Sequence, residues 1–284
     1  MKNLTVILMT AAIFCLAAET ELKSQDLTTG SIYQKENVPY RRPVPLPHLR
    51  EADVPWSRMI WRMVDLREKM NHNLYFPTEP FGPRMSLIDL LYQAVQNGEL
   101  EVYNTEEFRV PVEMEVIDNR LGGGVRTETV VDVTTGETVE REIVGEVRTF
   151  EVREYLILEQ WYFDKRHSTF GSRIVGFSPI RVYTTDDEGV EEGEIRRQNV
   201  FWVHYPSARE VLASHEVYGR GNDLSNLSFD DLFLQRRFSG YIYRESNVFN
   251  NRAINEYAVG RDALLESERI HNAIFDFEQD LWEY

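Results

Sequence analysis

The densest cluster of polar side chains that could do chemistry lies within residues 215–231. It combines a histidine with carboxylates and amides, namely His215, Glu216, Asn222, Asp223, Asp230 and Asp231. A histidine base beside carboxylates suits hydrolysis, and oxygen ligands suit a divalent ion. Asn and Asp also prefer caps and turns, so the same residues fit a connection between two helices. We favour the structural interpretation and keep a hydrolase or carbohydrate-binding protein using His215–Asp231 as the alternative.

No other catalytic, metal-binding or cofactor-binding residues are predicted. The sequence has no Gly-x-Ser-x-Gly motif, and its single cysteine is Cys15. Histidines occur at positions 48, 72, 167, 204, 215 and 271, without a His-x-x-x-His pair, so a zinc site is poorly supported. The aromatic runs Trp161–Phe163 and Phe201–Trp202 could line a ligand pocket. Core packing accounts for most of them, because half of the residues of a strand point inward.

Composition and charge narrow the classes of protein. The chain of 284 residues has 47 acidic and 31 basic side chains, a formal net charge of −16, and 42% apolar residues. This composition excludes a disordered chain, a collagen and a polytopic membrane protein. The acidic excess disfavours nucleic acid as a partner, because phosphate binding relies on clustered Lys and Arg. It also disfavours direct adhesion to anionic lipid, so no direct membrane insertion is expected.

The N-terminus has the order of a secretory signal peptide. A positive start precedes an apolar run of 13 residues, Leu4–Leu16, and small residues follow at Ala17-Ala18. The run is shorter than the roughly 20 apolar residues of a transmembrane helix, although a short N-terminal anchor stays open. Bulky Phe14 before Cys15 argues against lipidation. We expect removal of residues 1–24 to leave an exported, soluble chain without cysteine.

Residues 25–50 are predicted to form an extended, Pro-rich N-terminal arm. Prolines at positions 39, 43, 45 and 47 favour polyproline-like backbone and exclude a helix. Tyr40, Arg41 and Arg42 lie among these prolines. The arm is either a flexible leader or a segment that docks on a neighbouring subunit, and composition does not decide between the two.

A helix is predicted over Asp53–Met70. Asp53 suits the N-cap, and at about 100° per residue most of the apolar side chains form one core-facing stripe. Trp61 falls on the polar side of this helix, where either its own chain, most simply the arm, covers it or a partner protein does. Arg67 lies inside the stripe, so we expect it to have a carboxylate or carbonyl partner.

Further helices are predicted on both sides of a region of strands. Their ranges are 86–97, 207–215, 228–238 and 262–282. Ser86 and Ser228 are capping-box serines, and Gly98 ends the first of these helices. The Pro-rich segment Pro77–Pro83 must be a loop. The last helix has a broad apolar stripe through Leu264, Ile270, Ile274, Phe275, Leu281 and Trp282.

Strands are predicted between residues 100 and 205. Val125–Val133 and Thr138–Val147 form a solvated, projecting hairpin. Buried strands are predicted over Tyr155–Phe163 and Val200–Tyr205. A further strand over 173–183 contains Gly176 and Pro179, which suggest a bulge or an edge, and the acidic segment 186–194 suits an exposed loop. The order predicts an α+β fold in which helices at both ends of the chain flank a largely antiparallel sheet with projecting hairpins.

Several long stretches of the sequence resemble the GldN/PorN family of the type IX secretion system. They are READVPWSRMIWRMVDLREKMNHNLYFP at 50–77, SLIDLLYQAVQNGEL at 86–100, FDKRHSTFGSRIVGFSPIR at 163–181, FWVHYPSAREVLASHEVYGRGND at 201–223, SFDDLFLQRRFSGYIYRESNVF at 228–249 and GRDALLESERIHNAIFDFEQDLWEY at 260–284. These stretches keep their order and cover most of residues 50–284. The resemblance implies that residues 51–284 form a single GldN-like α+β region.

The resemblance also implies a function. Family members are non-enzymatic, cofactor-free structural subunits of the periplasm, lying beneath the outer membrane of Bacteroidota-type bacteria. They form a ring with a GldK/PorK-like lipoprotein and with neighbouring copies, and they contact the periplasmic domain of a GldM/PorM-like motor protein. The complex serves protein secretion and gliding motility. We expect Tyr40, Arg41, Arg42 and Trp61 to contribute to partner contacts, and the hydrolase alternative would also be periplasmic.

Overall fold

The centre of the protein is an antiparallel sheet of seven strands. The computed structural model describes residues 40–81, 84–131, 138–184, 195–217 and 227–281. The strands in chain order are β1 (Trp56–Asp65), β2 (Val102–Tyr103), β3 (Val125–Val131), β4 (Thr138–Val144), β5 (Val152–Asp164), β6 (Thr169–Thr184), β7 (Ile195–Asn199), β8 (Trp202–His204) and β9 (Tyr241–Glu245). The main sheet has the order β2-β8-β6-β5-β1-β9, and β7 also pairs with β6. β3 and β4 form a separate hairpin.

The described α-helices lie between β1 and β9 and after β9, so the expected helix before the strands is replaced by a short 3-10 helix. Among the described residues the α-helices are α1 (His72–Tyr75), α2 (Leu87–Gln96), α3 (Met114–Arg120), α4 (Tyr205–Ser214), α5 (Phe229–Leu234) and α6 (Arg261–Asp280). Short 3-10 helices lie at Glu51–Asp53, Thr149–Glu151 and Ile254–Glu256. The predicted α+β class with a largely antiparallel sheet is confirmed. In the part of the chain that is described, no helix has the length and apolar character needed to cross a membrane.

The predicted helix over Asp53–Met70 is wrong, because Trp56–Asp65 is β1. This strand pairs with β5 over its whole length, from Trp56 opposite Phe163 to Asp65 opposite Glu154, and with β9 on its other side. Its consecutive apolar residues fill both faces of the sheet, and the residues at 60, 61, 63 and 64 are all buried. A run that is apolar on both faces mimics a helical stripe, and pairing with distant strands decides the outcome.

The two faces of the sheet carry different side chains. On one face, α2, α4 and α5 cover a large core that includes Val64, Tyr155 and Phe177. The other face carries a second cluster, made of Trp61, Met63, Leu156, Leu158, Ile180 and Trp202. α6 packs on a third cluster beside β9, through Ile270 and Ile274. This division follows from the alternation of side chains along each strand.

The helices predicted from their caps are confirmed. Ser86 accepts a hydrogen bond from the Asp89 N–H at the start of α2, and Gly98 follows its end with a φ of 74°. Ser228 and Asp231 form a reciprocal capping box at the start of α5. α4 and α6 occupy the other two predicted helical ranges to within a few residues. Local capping chemistry therefore located α2 and α5 correctly.

The predicted strands are also found, together with β2, β7 and β9, whose ranges were not predicted. β3 and β4 confirm the hairpin, while its turn, the acidic loop 186–194 and the predicted signal peptide lie outside the described residues. β6 has a bulge at Val175, because Gly176 faces Leu158 and Ile174 faces Glu159. The bulge prediction is confirmed and the edge prediction is wrong, since β6 has partners on both sides. β9 was not predicted, and the boundaries at residues 24 and 50 stay predictions.

Candidate functional site

The described part of the arm, residues 40–50, is extended and lies against the folded region. Arg41 makes two close contacts with Asp231, with Nη1 2.7 Å from Oδ2 and Nη2 2.9 Å from Oδ1. Arg209 Nη2 donates to the Val44 carbonyl at 2.6 Å. Further along, Arg173 donates to the Pro47 carbonyl. Two of the three attachments use backbone carbonyls, so they depend little on the side chains of the arm.

The outer side of the docked arm is open to solvent. Tyr40 is 84% exposed and Val44 is 59% exposed. Arg42 is also exposed, whereas Arg41 is partly buried by its pairing with Asp231. The three predicted interface residues of the arm therefore divide into one that holds the arm and two that face outward. Their role in partner binding stays a prediction.

A buried ion pair supports the arm from below. Arg209 on α4 binds Asp230 on α5 through Nε at 3.0 Å and Nη2 at 2.9 Å, and the Tyr205 hydroxyl donates to Asp230 at 2.7 Å. The side chains of Arg209 and Asp230 are 9% and 3% exposed. Burial, together with the bond to Asp230, raises the pKa of Tyr205 well above its ordinary value. The guanidinium of Arg209 thus joins α4, α5 and the Val44 carbonyl.

The described members of the polar cluster predicted at residues 215–231 do not converge on one point. His215 Nδ1 lies 3.0 Å from the Val211 carbonyl, at the end of α4. Glu216 approaches Arg84 at 3.5 Å, while Asp231 caps α5 and holds Arg41. Among the described residues no three His, Cys, Asp or Glu side chains could hold a metal ion, and residues 222–223 lie outside them. The geometry supports the structural interpretation of this segment.

Replacement of Asp230 by asparagine tests that interpretation. We expect Asp230→Asn to lower the free energy of unfolding by about 2 kcal/mol, because the buried Arg209 loses its carboxylate partner. Urea unfolding measures the change, and the exposed Asp276→Asn is the control, with an expected change within about 0.5 kcal/mol. An unchanged stability in Asp230→Asn would contradict the structural role.

The sequence predicted Trp61 on the polar side of a helix, covered by its own chain or by a partner, and the helical position is wrong. Trp61 lies in β1 with 4% of its surface exposed. Its Nε1–H donates to Glu106 Oε2 at 2.7 Å, and the guanidinium of Arg244 lies 3.9 Å from its ring. The chain itself therefore covers Trp61, through Glu106 and Arg244. The indole is consequently a packing group in this structure.

The expectation for Arg67 is confirmed in its partner and wrong in its surroundings. Arg67 forms a two-pronged contact with Asp65, with Nη2 2.6 Å from Oδ2 and Nε 3.0 Å from Oδ1. Its side chain is nevertheless 72% exposed. This hydrogen bonding holds the pKa of the Asp65 carboxyl below its usual value. Arg67 is exposed, and not in the core as predicted, because β1 ends at Asp65 and the chain turns directly after it.

The C-terminal segment exposes apolar side chains that sequence reasoning placed in the core. α6 buries Ile270 and Ile274, but Leu264 is 57% exposed and Phe275 is 53% exposed. These two are eleven residues apart, or about three turns, so they lie on the same side of α6. Val248 and Val259, in the loop before α6, are 90% and 83% exposed. Exposed apolar residues of this kind commonly mark protein–protein contacts.

The family comparison covers almost all of the described structure. The family described as Gliding motility associated protein GldN matches residues 49–283. No curated protein matches the chain. The matched range begins at the end of the arm and includes the whole sheet and all six described helices. The chain belongs to the GldN family of gliding motility associated proteins.

Proposed function

We propose that this protein is a non-enzymatic structural subunit of the type IX secretion and gliding machinery. In this proposal it lies in the periplasm and forms a ring with a GldK/PorK-like outer-membrane lipoprotein and with neighbouring copies of itself. It also contacts the periplasmic domain of a GldM/PorM-like motor protein. The observation that carries the proposal is membership of the GldN family over residues 49–283.

Two surfaces of the structure suit such a role. A ring subunit needs heterologous contacts on two sides. The docked arm presents Tyr40 and Arg42 outward, and α6 presents Leu264 and Phe275. The carboxylate of Asp230 is bound in an ion pair, and that of Asp231 caps α5. These two residues therefore give little support for hydrolysis.

The net charge of −16 bears on how this subunit would approach the membrane. Anionic lipid repels an acidic protein, so attachment to the outer membrane would pass through the lipidated partner. Complementary charge on that partner would speed association and make it sensitive to salt. We therefore expect basic residues on the lipoprotein surface that contacts this chain.

Deletion of residues 25–48 tests the contribution of the arm. We expect the deleted protein to stay folded, because the polar contacts described between residues 40–48 and the folded region involve Arg41 and two backbone carbonyls and lie outside the main core. Its loss should reduce the amount of lipoprotein partner that co-purifies by about tenfold, a loss near 1.4 kcal/mol of binding free energy. Size-exclusion chromatography of the co-expressed pair measures the assembly, and circular dichroism measures the fold.

A matched variant separates the outward residues from the docking residue. Tyr40→Ala with Arg42→Ala keeps Arg41 and the carbonyls that attach the arm, so it should weaken assembly without changing stability. Persistence of the full-length protein as a monomer beside its lipoprotein partner would overturn the ring proposal. Normal assembly of both variants would instead remove the arm from the interface and leave the α6 surface as its site.

A further inference from the structure

A cavity of about 250 Å³ lies where β1 ends and β5 begins. It is lined by Leu66, Arg67, His72, Tyr75, Phe76 and Arg153. Its position follows from the strand pairing, since the Leu66 N–H donates to the Arg153 carbonyl at 2.9 Å just beyond the last residue of β1. α1 and the residue after it supply the aromatic lining. None of these residues takes part in the arm or in the exposed side of α6.

The aromatic walls of the cavity are held in place by contacts within the chain. The rings of Tyr75 and Phe76 meet edge to face at 4.9 Å, and those of His72 and Phe76 at 5.6 Å. The Tyr75 hydroxyl donates to the Phe150 carbonyl at 3.1 Å. Leu66 is only 3% exposed, and Phe76 and Phe150 are 45% and 50% exposed. The cavity is thus a preformed apolar recess whose aromatic surface continues outward at Phe150.

Among the described residues, the charges around the recess leave the guanidinium of Arg153 without a counterion. Arg67 is neutralised by its two-pronged contact with Asp65. The neighbouring Glu154 carboxylate is bound by Arg197 Nε at 3.0 and 3.2 Å. Arg153 is exposed, and its guanidinium has no ion-pair partner within the described ranges. An aromatic recess with a free guanidinium at its edge is complementary to an apolar group that carries a carboxylate.

We propose that this recess binds a peptide segment of a partner protein in which a Glu or Asp lies next to an aromatic residue. The aromatic ring of the segment enters the recess and packs against the walls formed by Tyr75 and Phe76, and its carboxylate pairs with Arg153. A peptide fits better than a small molecule because the apolar surface extends from the recess to Phe150, along which a chain can continue. This inference is independent of ring formation, since it concerns a site that the arm and α6 do not share.

Saturation-transfer NMR with the full protein tests the inference. The probe is the capped dipeptide acetyl-Phe-Glu-amide, and the neutral control is acetyl-Phe-Gln-amide. We expect signal transfer to the phenyl ring of the acidic probe, with an affinity about threefold higher than that of the neutral probe, as one exposed ion pair provides. Phe76→Ala should abolish the transfer, because it removes one wall of the recess.

A matched pair of arginine variants decides whether the site is the one proposed. Arg153→Gln should reduce the affinity for the acidic probe about threefold and leave the neutral probe unchanged. Arg166→Gln is the control, because Arg166 is exposed and follows the opposite end of β5, about 40 Å along the strand. Equal affinity for both probes, or equal losses in the two arginine variants, would overturn the proposal.

Discussion

Replacement of Trp61 by alanine is expected to lower the free energy of unfolding by about 3 to 5 kcal/mol. Trp61 lies in the cluster that covers one face of the sheet, with 4% of its surface exposed. Its removal leaves a cavity between Leu158, which faces it on β5, and Arg244, which faces it on β9. Arg244 also loses the ring over which its guanidinium lies, and Glu106 loses a donor.

Equilibrium urea unfolding measures this effect, and two further variants serve as comparisons. Trp61→Phe keeps an aromatic ring but removes the N–H donor to Glu106, so a smaller loss of about 1 kcal/mol is expected. Met70→Ala changes a side chain that is 55% exposed and should change stability by less than about 0.5 kcal/mol. A stable Trp61→Ala protein that fails to bind its partners would contradict the packing role and support the predicted interface role.

The elements that could be predicted from the sequence are those whose signals are local. Ser86 and Ser228 lie at N-caps because their side chains accept hydrogen bonds from N–H groups three residues later. The pairing of β3 with β4 also has a local signal, because Val- and Thr-rich runs flank the turn-forming sequence Thr134-Thr135-Gly136-Glu137. Such signals act within a few residues, so no knowledge of the rest of the fold is needed.

β1 could not be predicted because its determinants are distant in sequence. Its apolar residues lie at spacings that fit a helical stripe, and its partners are about 100 residues away in β5 and about 180 away in β9. The misplaced helix carried Trp61 to a polar surface and Arg67 into the core. Both errors have one cause, since the face on which a residue lies depends on the type of element.

The ion pairs around the arm also could not be predicted from local sequence signals. Arg209 and Asp230 are 21 residues apart and belong to different helices, and Arg41 is 190 residues from Asp231. The sequence shows that arginines and carboxylates are present in these segments. Which of them form ion pairs depends on how the arm, α4 and α5 pack together. For α6, the sequence predicted the apolar stripe but not which residues of the stripe would be exposed. Ile270 packs in the cluster beside β9, whereas Leu264 is 57% exposed.

Glu159 is the most deeply buried charge described, and its removal carries the second large effect. It lies in β5 with no exposed surface, and its carboxylate is 2.8 Å from Arg236 Nη2 and 3.4 Å from Arg62 Nε. The Trp161 Nε1–H also donates to it at 2.9 Å. Burial lowers the pKa of Arg62, and the charge of Glu159 opposes that shift. One carboxylate therefore neutralises two arginines between β1, β5 and the segment after α5.

We expect Glu159→Ala to lower the free energy of unfolding by about 3 to 5 kcal/mol, because two arginines lose their shared carboxylate. Arg62 is most affected, since its side chain is only 12% exposed. Urea unfolding measures the change. The control is Glu107→Ala, which removes a carboxylate paired with Arg109 at the surface, where about 0 to 1 kcal/mol is expected.

A double variant distinguishes a lost attraction from an uncompensated charge. If the stranded guanidinium causes the loss, Glu159→Leu combined with Arg62→Leu should be more stable than Glu159→Leu alone, because the deepest unpaired charge is then gone. Additive losses would show that Arg62 and Glu159 contribute independently and would contradict the coupling. A Glu159→Ala protein as stable as Glu107→Ala would show that the sheet tolerates both arginines without their carboxylate, and the proposed role of Glu159 would be wrong.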